Sequence, residues 1–154
     1  MYGTLFYIYL ISSIMNSGLQ PEIIRGNFSV TSYGETFIEV NKILIESSCI
    51  ISTDESPITW EITNVSQLTS GKVGRLFQNR PDVVLIGTGK EQVMLNEELL
   101  KFKPKNDNNP LEFLNSSKSQ LIFTADCMST HAACRTFNFL AAEGRSVVAG
   151  LIID

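Results

Sequence analysis

The stretch whose residue types most clearly suggest a binding site is Gly87-Thr88-Gly89-Lys90, which follows four apolar residues. Glycines at the carboxyl end of a parallel strand often form a loop that binds phosphate through backbone N–H groups. A dinucleotide fingerprint requires a third glycine, but Gln92 stands there, and the Gly-Lys-Ser/Thr of a P-loop is absent. Two interpretations stay open: a tight turn that requires glycine, which we favour, or an anion site that uses Lys90.

A second group of residues that could take part in chemistry is Cys127-x3-His131-x2-Cys134. Cysteine and histidine are zinc ligands, and His131 and Cys134 are three residues apart, so on a helix they share a face. A structural zinc site needs four ligands, however, and the fourth would have to be Asp126 or the distant Cys49. The pattern is too weak to predict a metal site, and no cofactor is predicted.

Cys134 has a further interpretation as a reactive thiol. The amino end of a helix and the adjacent Arg135 would both lower the pKa of this thiol. A small packed residue is the other interpretation, and we favour it because no base or orienting partner can be identified. Arg135 could instead bind a carboxylate, either internal or from a partner. With a single histidine and no hydrolase signature in the chain, no catalytic residue is predicted, and an enzyme is disfavoured.

The second half of the chain supplies the elements that would position these residues. Buried strands are predicted for the apolar runs of residues 82–87, 120–125 and 146–154. Helices are predicted before Pro81, after an Asn96 cap that precedes two glutamates, and from Ser129 or Thr130 to Gly144. Strands that alternate with helices imply parallel pairing and right-handed crossovers, and therefore an α/β fold.

The first half has the two-residue period of β structure. Residues 23–60 are rich in β-branched side chains and are interrupted at residues 54–57, so we expect a three- or four-stranded antiparallel meander. Residues 103–119 contain two prolines and no sustained period, which predicts a surface insertion with a helical turn at residues 111–114.

Length and composition limit the class of protein. The 154 residues are enough for one domain, and the net charge of −4 with a pI of about 5.0 gives no field that recruits nucleic acid. Three cysteines, an odd number, favour free thiols in a reducing compartment, so we expect a cytoplasmic location. Oligomeric state cannot be read from these features.

The amino-terminal residues are predicted to be an extension, residues 1–22, ahead of a single domain over residues 23–154. The apolar stretch before Met15 has 14 residues, fewer than the ~20 that span a bilayer, and no Lys or Arg precedes it. A working initiator at Met15 is favoured over a short hydrophobic extension or a degenerate signal, and no integral membrane span is expected.

Two blocks of the sequence, residues 80–92 and 128–152, resemble one known family. It is the small domain shared by the mitochondrial NADH:ubiquinone oxidoreductase assembly factor 3 and by uncharacterised bacterial and archaeal proteins. The resemblance implies a three-layer α/β fold, with a central mixed, mostly parallel sheet, helices on one side and a small β layer on the other. It also implies a scaffolding role without established enzymatic activity, and a protein partner such as a respiratory-complex subunit. The chain departs from the family pattern at Ser129 and His131.

These observations lead to two hypotheses about one crevice between the glycine turn and the last helix. In the favoured hypothesis the chain is a non-catalytic interaction domain whose crevice receives a partner's peptide or acidic group. In the alternative it binds an anion or small molecule, or acts as a thiol-redox protein through Cys134. The residues predicted to form the crevice are Gly87, Thr88, Gly89, Lys90, Gln92, Met128, Thr130, Cys134, Arg135 and Asn138.

Overall fold

The structure, a computed structural model, describes residues 28–104 and 122–154. Within these two ranges the strands are β1 (Val30–Tyr33), β2 (Ile38–Val40), β3 (Ile43–Ile45), β4 (Cys49–Ser52), β5 (Ile58–Thr59), β6 (Val83–Gly87), β7 (Lys101–Phe102), β8 (Phe123–Thr124), β9 (Asp126–Met128) and β10 (Val147–Leu151). The helices are α1 (Ser70–Gly74), α2 (Glu97–Leu100) and α3 (Thr130–Ala142), with two 3₁₀ turns at Val65–Gln67 and Arg75–Phe77.

The central sheet has five strands in the order β5-β4-β10-β6-β9. Strand β6 runs parallel to both β10 and β9, whereas β4 is antiparallel to both β10 and β5. The sheet is therefore mixed, as predicted, but the expected predominance of parallel pairs is wrong. Strand β4 comes from the β-rich first half and joins the sheet without a parallel crossover, which makes its pairings antiparallel.

One face of this sheet packs against α3 and the β1–β2 hairpin. The side chains that build this core come from alternate positions of the strands, because successive strand residues point to opposite faces. They are Val30, Ile38, Val40, Cys49, Ile51, Leu85, Ala133, Cys134, Phe137, Val147, Ala149 and Leu151.

The other face packs against α1, the second 3₁₀ turn and the segment that follows β5. The buried side chains of this second core are Ile50, Trp60, Ile62, Leu68, Val73, Leu76, Phe77, Val84, Ile86, Ala125, Val148 and Ile152. The expectation that helices lie on one side and a small β layer on the other is therefore wrong. Strands buried on both faces need cover on both, so α3 and the hairpin share one face while α1 covers the opposite one.

The predicted meander is confirmed for three strands. Strands β1, β2 and β3 form a separate antiparallel sheet in that order. A two-residue turn at Asn41 and Lys42, with φ of 48° and 68°, joins β2 to β3. Positive φ at both central positions is the geometry that matches the twist of a tight hairpin. Strand β4 then leaves the meander for the central sheet.

The predicted buried strand at residues 120–125 differs from the structure. Phe123 and Thr124 are exposed and pair with β7, while the strand beside β6 is β9, directly after the buried Ala125. The Ala125 N–H donates to the carbonyl of Leu100, which holds this crossing point between the two sheets. Within the described part of this run, Ile122, Phe123 and Thr124 are exposed, and Ala125 is buried.

Some expectations lie outside the described residues. They concern the extension at residues 1–22, the Met15 start and the helical turn at residues 111–114. In the part of the chain that the structure describes, every helix is too short or too polar to cross a membrane.

Candidate functional site

The candidate site lies where β6 and β10 end side by side, since Leu151 is in register with Gly87. Thr130, the first residue of α3, forms hydrogen bonds with the segments that follow both strands. Its hydroxyl donates to the carbonyl of Ile152 at 2.7 Å and accepts from the N–H of Gly89 at 2.9 Å. Its own N–H donates to the carbonyl of Gly89 at 2.8 Å. The glycine turn and the amino end of α3 therefore meet at one edge of the sheet, as the sequence predicted.

The two glycines of the turn are required by close packing. A Cβ atom on Gly87 would lie 2.8 Å from the Cα of Thr130, and one on Gly89 would lie 2.8 Å from the Asp154 carboxylate. Gly89 also has a φ of 103°, a conformation that side chains disfavour. Glycine at position 87 lets the helix approach the strand end, and glycine at position 89 leaves room for the Asp154 carboxylate, independently of any ligand.

Helix α3 begins here because Ser129 caps it. The Ser129 hydroxyl accepts from the N–H of Ala132 at 3.3 Å, and Ser129 itself is extended, as N-cap residues are. At the other end Gly144 has a φ of 79°, which terminates the helix in the left-handed conformation. The predicted start and stop of this helix are both confirmed.

A pocket of about 200 Å³ opens at this edge. It is lined by Gly34, Glu35, Gly89, Lys90, Thr130, His131, Ile152, Ile153 and Asp154. Lys90 Nζ lies 3.4 Å from Glu35 Oε1, and both side chains are about 70% exposed (70% and 73%). Such an exposed ion pair adds little stability, so both charges are free to meet another molecule.

The anion interpretation of the turn needs backbone N–H groups that are available to a ligand. In the structure the Thr88 N–H donates to a β9 carbonyl at 2.9 Å, and the Gly89 N–H donates to the Thr130 hydroxyl at 2.9 Å. The Lys90 N–H donates to Asp154 Oδ1 at 3.3 Å. All three donors are used inside the chain, and a carboxylate of the protein stands beside Lys90. The geometry favours the interpretation as a tight turn.

Three further predicted residues, Thr88, Gln92 and Met128, form hydrogen bonds around this turn. The Thr88 hydroxyl accepts from the N–H of Val93 at 3.0 Å, and the Gln92 side chain donates to the carbonyl of Cys127 at 3.3 Å. Met128 ends β9 and accepts through its sulfur from a hydroxyl of α3. These contacts hold the loop after β6 against β9, and neither Gln92 nor Met128 lines the pocket.

Arg135 and Asn138 are also away from the pocket, and both connect α3 to β1. Arg135 Nη1 donates to the hydroxyl of Tyr33 at 3.3 Å. The Asn138 side chain accepts from the N–H of Val30 at 2.8 Å and donates to the carbonyl of Val30 at 2.7 Å. Asn138 thus pairs with the backbone of β1 as another strand would. For both residues the structure shows a contact that attaches the small sheet to the helix.

The side chains of Cys127, His131 and Cys134, which were considered as zinc ligands but did not predict a metal site, do not come together. His131 Nε2 lies 2.9 Å from the carbonyl of Gly34, and because a carbonyl only accepts, this nitrogen carries the hydrogen. The Cys127 thiol donates to the carbonyl of Val93, and Cys134 is buried in the core. Among residues 28–104 and 122–154 no three His, Cys, Asp or Glu side chains are arranged to hold a metal ion.

The alternative interpretation of Cys134 as an activated thiolate is contradicted by its burial. Cys134 is 0% exposed, and removal from water raises the pKa of its thiol to about 12, although Arg135 acts in the opposite direction. Burial likewise raises the pKa of Cys49 to about 12, with a further contribution from the neighbouring Cys134. All three cysteines are free thiols. Desolvation therefore outweighs the adjacent guanidinium, and the interpretation of Cys134 as a packed residue holds.

These raised pKa values predict a loss of stability in alkali. The ordinary pKa of a cysteine is 9.0, so above that pH the unfolded chain loses both protons while the folded chain keeps them. Protonated Cys49 and Cys134 make their full contribution to the free energy of unfolding below pH 9. As the pH rises toward 12, the contribution of each thiol falls by about 1.4 kcal/mol per pH unit. Urea unfolding from neutral pH to above pH 10 measures this slope. Cys134→Ala should make it shallower, and an unchanged slope would contradict the assignment.

Six residues of the pocket were not predicted from the sequence to line it: Gly34, Glu35, His131, Ile152, Ile153 and Asp154. Gly34 and Glu35 come from the β1–β2 turn, more than fifty residues before the glycine turn, and Ile153 and Asp154 follow β10. Gly34 is typical of a turn, but a turn in the sequence does not reveal which part of the fold it faces. His131 was considered only as a metal ligand.

The fold and the pocket together define the class: a mixed α/β protein with a pocket beyond the carboxyl ends of two adjacent parallel strands. The chain belongs to the family described as protein of unknown function, DUF498/DUF598, whose profile matches residues 30–152. The predicted membership of a small uncharacterised family is thereby confirmed. No curated protein matches the sequence.

Solved structures of bacterial proteins share this fold. A protein from Bordetella parapertussis is 28% identical, with a TM-score of 0.66 over 84% of this chain and 98% of that one. A Mth938-like domain from Bordetella pertussis is 25% identical, with a TM-score of 0.60 over 88% and 90%. A protein from Bartonella henselae, called an outer membrane protein, is 29% identical, with a TM-score of 0.59 over 84% and 98%. The chain is therefore similar in fold to Mth938-like domains.

Proposed function

We propose that this chain is a non-catalytic interaction domain and that the pocket at the edge of β6 and β10 receives a protein partner. One observation carries the proposal. The backbone donors of the glycine turn are used internally, whereas the Lys90 and Glu35 side chains at the pocket remain exposed. A rigid frame that presents side-chain charges to solvent is suited to recognition.

The chemistry of the pocket indicates what kind of partner fits. Lys90 offers a cation, Glu35 and Asp154 offer carboxylates, and the partly buried Ile153 adds apolar surface. Such mixed lining complements a peptide segment that carries an apolar side chain next to charged ones. A simple anion would meet two carboxylates and one exposed lysine, which is a weak site.

The alternative of a thiol-redox protein receives no support from the described geometry. Cys134 has a raised pKa and no exposed surface, so it is neither a thiolate at neutral pH nor accessible to a substrate. Cys127 is half-buried, and its pKa is raised by burial as well. Thiolate chemistry needs the opposite shift.

A role as an assembly factor for a respiratory complex is a further part of the proposal. Its support is the resemblance of residues 80–92 and 128–152 to the domain shared with a complex I assembly factor. The cytoplasmic location belongs to the proposal too, and three free cysteines support it. The partner we propose is accordingly a protein subunit of a larger assembly.

Site-specific photocrosslinking in native extracts tests the proposal. A photoreactive side chain placed at Lys90, and separately at Glu35, should crosslink the same partner polypeptide, because the two positions lie on one pocket. Glu143 is the control position, since it is exposed at the far end of α3, about 20 Å from Thr130. Lys90→Glu should then weaken binding of the purified partner without unfolding the chain.

Two results would contradict the proposal. One is equal crosslinking at positions 90 and 143, which would show no preference for the pocket. The other is a large rise in thermal stability with a phosphorylated metabolite, since a tight ligand of the folded state stabilises it by mass action. The second result would favour the small-molecule alternative.

A further inference from the structure

Strand β3 is an edge strand with exposed apolar side chains. Among the described residues it pairs with β2 alone, and β1 lies at the other edge of the same sheet. Ile43 is 58% exposed and Leu44 is 56% exposed. Edge strands that present apolar side chains are templates for pairing with another strand, and most proteins protect them. This strand has three residues, and none of the described strands pairs with its outer edge.

The apolar surface of β3 covers both of its faces. Ile43 is in register with Val40, whose side chain points into the core, so Ile43 lies on the core-facing side beyond the end of the packed region. Leu44 is in register with Glu39 and lies on the opposite side. A strand that joined β3 would therefore find apolar contacts above and below the sheet.

The turn geometry shows which backbone groups are available on the outer edge. The two-residue turn joins Val40 to Ile43, and in such hairpins these flanking residues form a hydrogen-bonded pair. The backbone groups of Ile43 and Ile45 then point toward β2. Those of Leu44 point outward, so Leu44 can exchange two hydrogen bonds with a strand on the free side.

The sequence around Leu44 is complementary to itself. It reads Lys42-Ile43-Leu44-Ile45-Glu46, with a cation before the strand and a carboxylate after it, and both of these residues are exposed. In an antiparallel pair centred on Leu44, each Ile43 faces an Ile45, and the Lys42 at the end of each hairpin turn comes next to the Glu46 of the other copy. Opposite charges and apolar side chains in facing positions stabilise such a pair.

We propose that β3 pairs with β3 of a second copy of this chain, forming a two-fold dimer with one continuous six-stranded sheet. The occupant is a second copy because the register that pairs the outward backbone groups of Leu44 also satisfies both charges. The chain segments outside the described residues join elsewhere, at Phe28 beside β1 and at Pro104 and Ile122 near the β7–β8 pair.

Charge reversal tests this arrangement in the full chain. Sedimentation equilibrium should show a monomer–dimer equilibrium for the wild type. Lys42→Glu or Glu46→Lys places two like-charged pairs across the interface, and each should weaken dimerisation roughly tenfold. The double variant Lys42→Glu/Glu46→Lys restores opposite charges at both pairs, and it should recover most of the wild-type affinity.

The controls carry the same charge changes elsewhere. Glu61→Lys and Arg75→Glu alter exposed positions beside the second core, on the other face of the central sheet, and should leave dimerisation unchanged. A monomer at all concentrations would overturn the proposal, and so would a dimer that the β3 variants do not weaken. Failure of the double variant to recover affinity, with its fold intact by circular dichroism, would also overturn it. None of these results bears on the pocket at Lys90.

Discussion

Phe137→Ala should lower the free energy of unfolding by about 3–5 kcal/mol. Phe137 is fully buried and lies in the core that α3, the β1–β2 hairpin and the central sheet share. Truncation removes the ring from the meeting point of three elements, none of which can move inward without losing contacts of its own. Since domains are stable by about 5–15 kcal/mol, this is a large fraction of the total. Urea unfolding followed by circular dichroism measures it.

Phe139→Ala is the matched control for that experiment. It removes the same ring from the same helix, two residues further along, but Phe139 is 65% exposed. Its effect should stay within about 0.5 kcal/mol. Equal losses of unfolding free energy in the two variants would mean that the face of α3 that carries Phe137 does not pack against the sheet. The packing described for this face would then be incorrect.

Gly87→Ala should cost about 2–3 kcal/mol, the second largest effect that we expect. The added Cβ would lie 2.8 Å from the Cα of Thr130 and 3.0 Å from a methyl group of Leu151. One of these contacts is with backbone, so a side-chain rotation cannot relieve it. The start of α3 has to move away from β6, and the hydrogen bonds of Thr130 to Gly89 and Ile152 are strained with it.

Gly71→Ala is the control for Gly87→Ala, because the same substitution is expected to have no destabilising effect there. Gly71 is in α1, its nearest neighbour to a new Cβ is 4.0 Å away, and alanine favours a helix over glycine. It should be neutral or stabilising by up to about 1 kcal/mol. If Gly87→Ala were equally harmless, the close approach of α3 to the glycine turn would be refuted. Amide hydrogen exchange at Gly89 would show whether the turn itself has loosened.

Local patterns predicted those elements whose causes lie within a few residues. The cap at Ser129 and the stop at Gly144 fixed the limits of α3, and Asn96 starts α2 as expected. The continuous apolar runs correctly gave β6 and β10, because a strand buried on both faces has no polar alternation.

The long-range arrangement of the strands and helices was harder to predict from the sequence. Strand β4 contains isoleucine like the strands β2 and β3 of the meander, yet it pairs in the central sheet, and its residue types do not predict that choice. The side on which α3 packs depends on the hairpin that Asn138 binds through Val30, a contact 108 residues apart in sequence. Such pairings are decided by the whole core and not by either segment.

The candidate site shows the same difference between local features, which the sequence predicts, and long-range contacts, which it does not. Gly89, Lys90 and Thr130 were predicted and line the pocket, since a strand end and a helix start are local features. Arg135 and Asn138 were predicted from their polarity on an apolar helix, and the structure uses both to attach β1. A polar residue on such a helix needs a partner, but its type does not say whether that partner is internal.

The position of β10 has a consequence for biosynthesis. This strand follows the other described strands in sequence, yet it lies between β4 and β6 and joins them, so these two strands have no direct pairing with each other. A nascent chain therefore cannot assemble the sheet until residues 147–151 have left the ribosome. Until then the apolar runs of β4 and β6 are exposed in the growing polypeptide, and molecular chaperones have a substrate to protect.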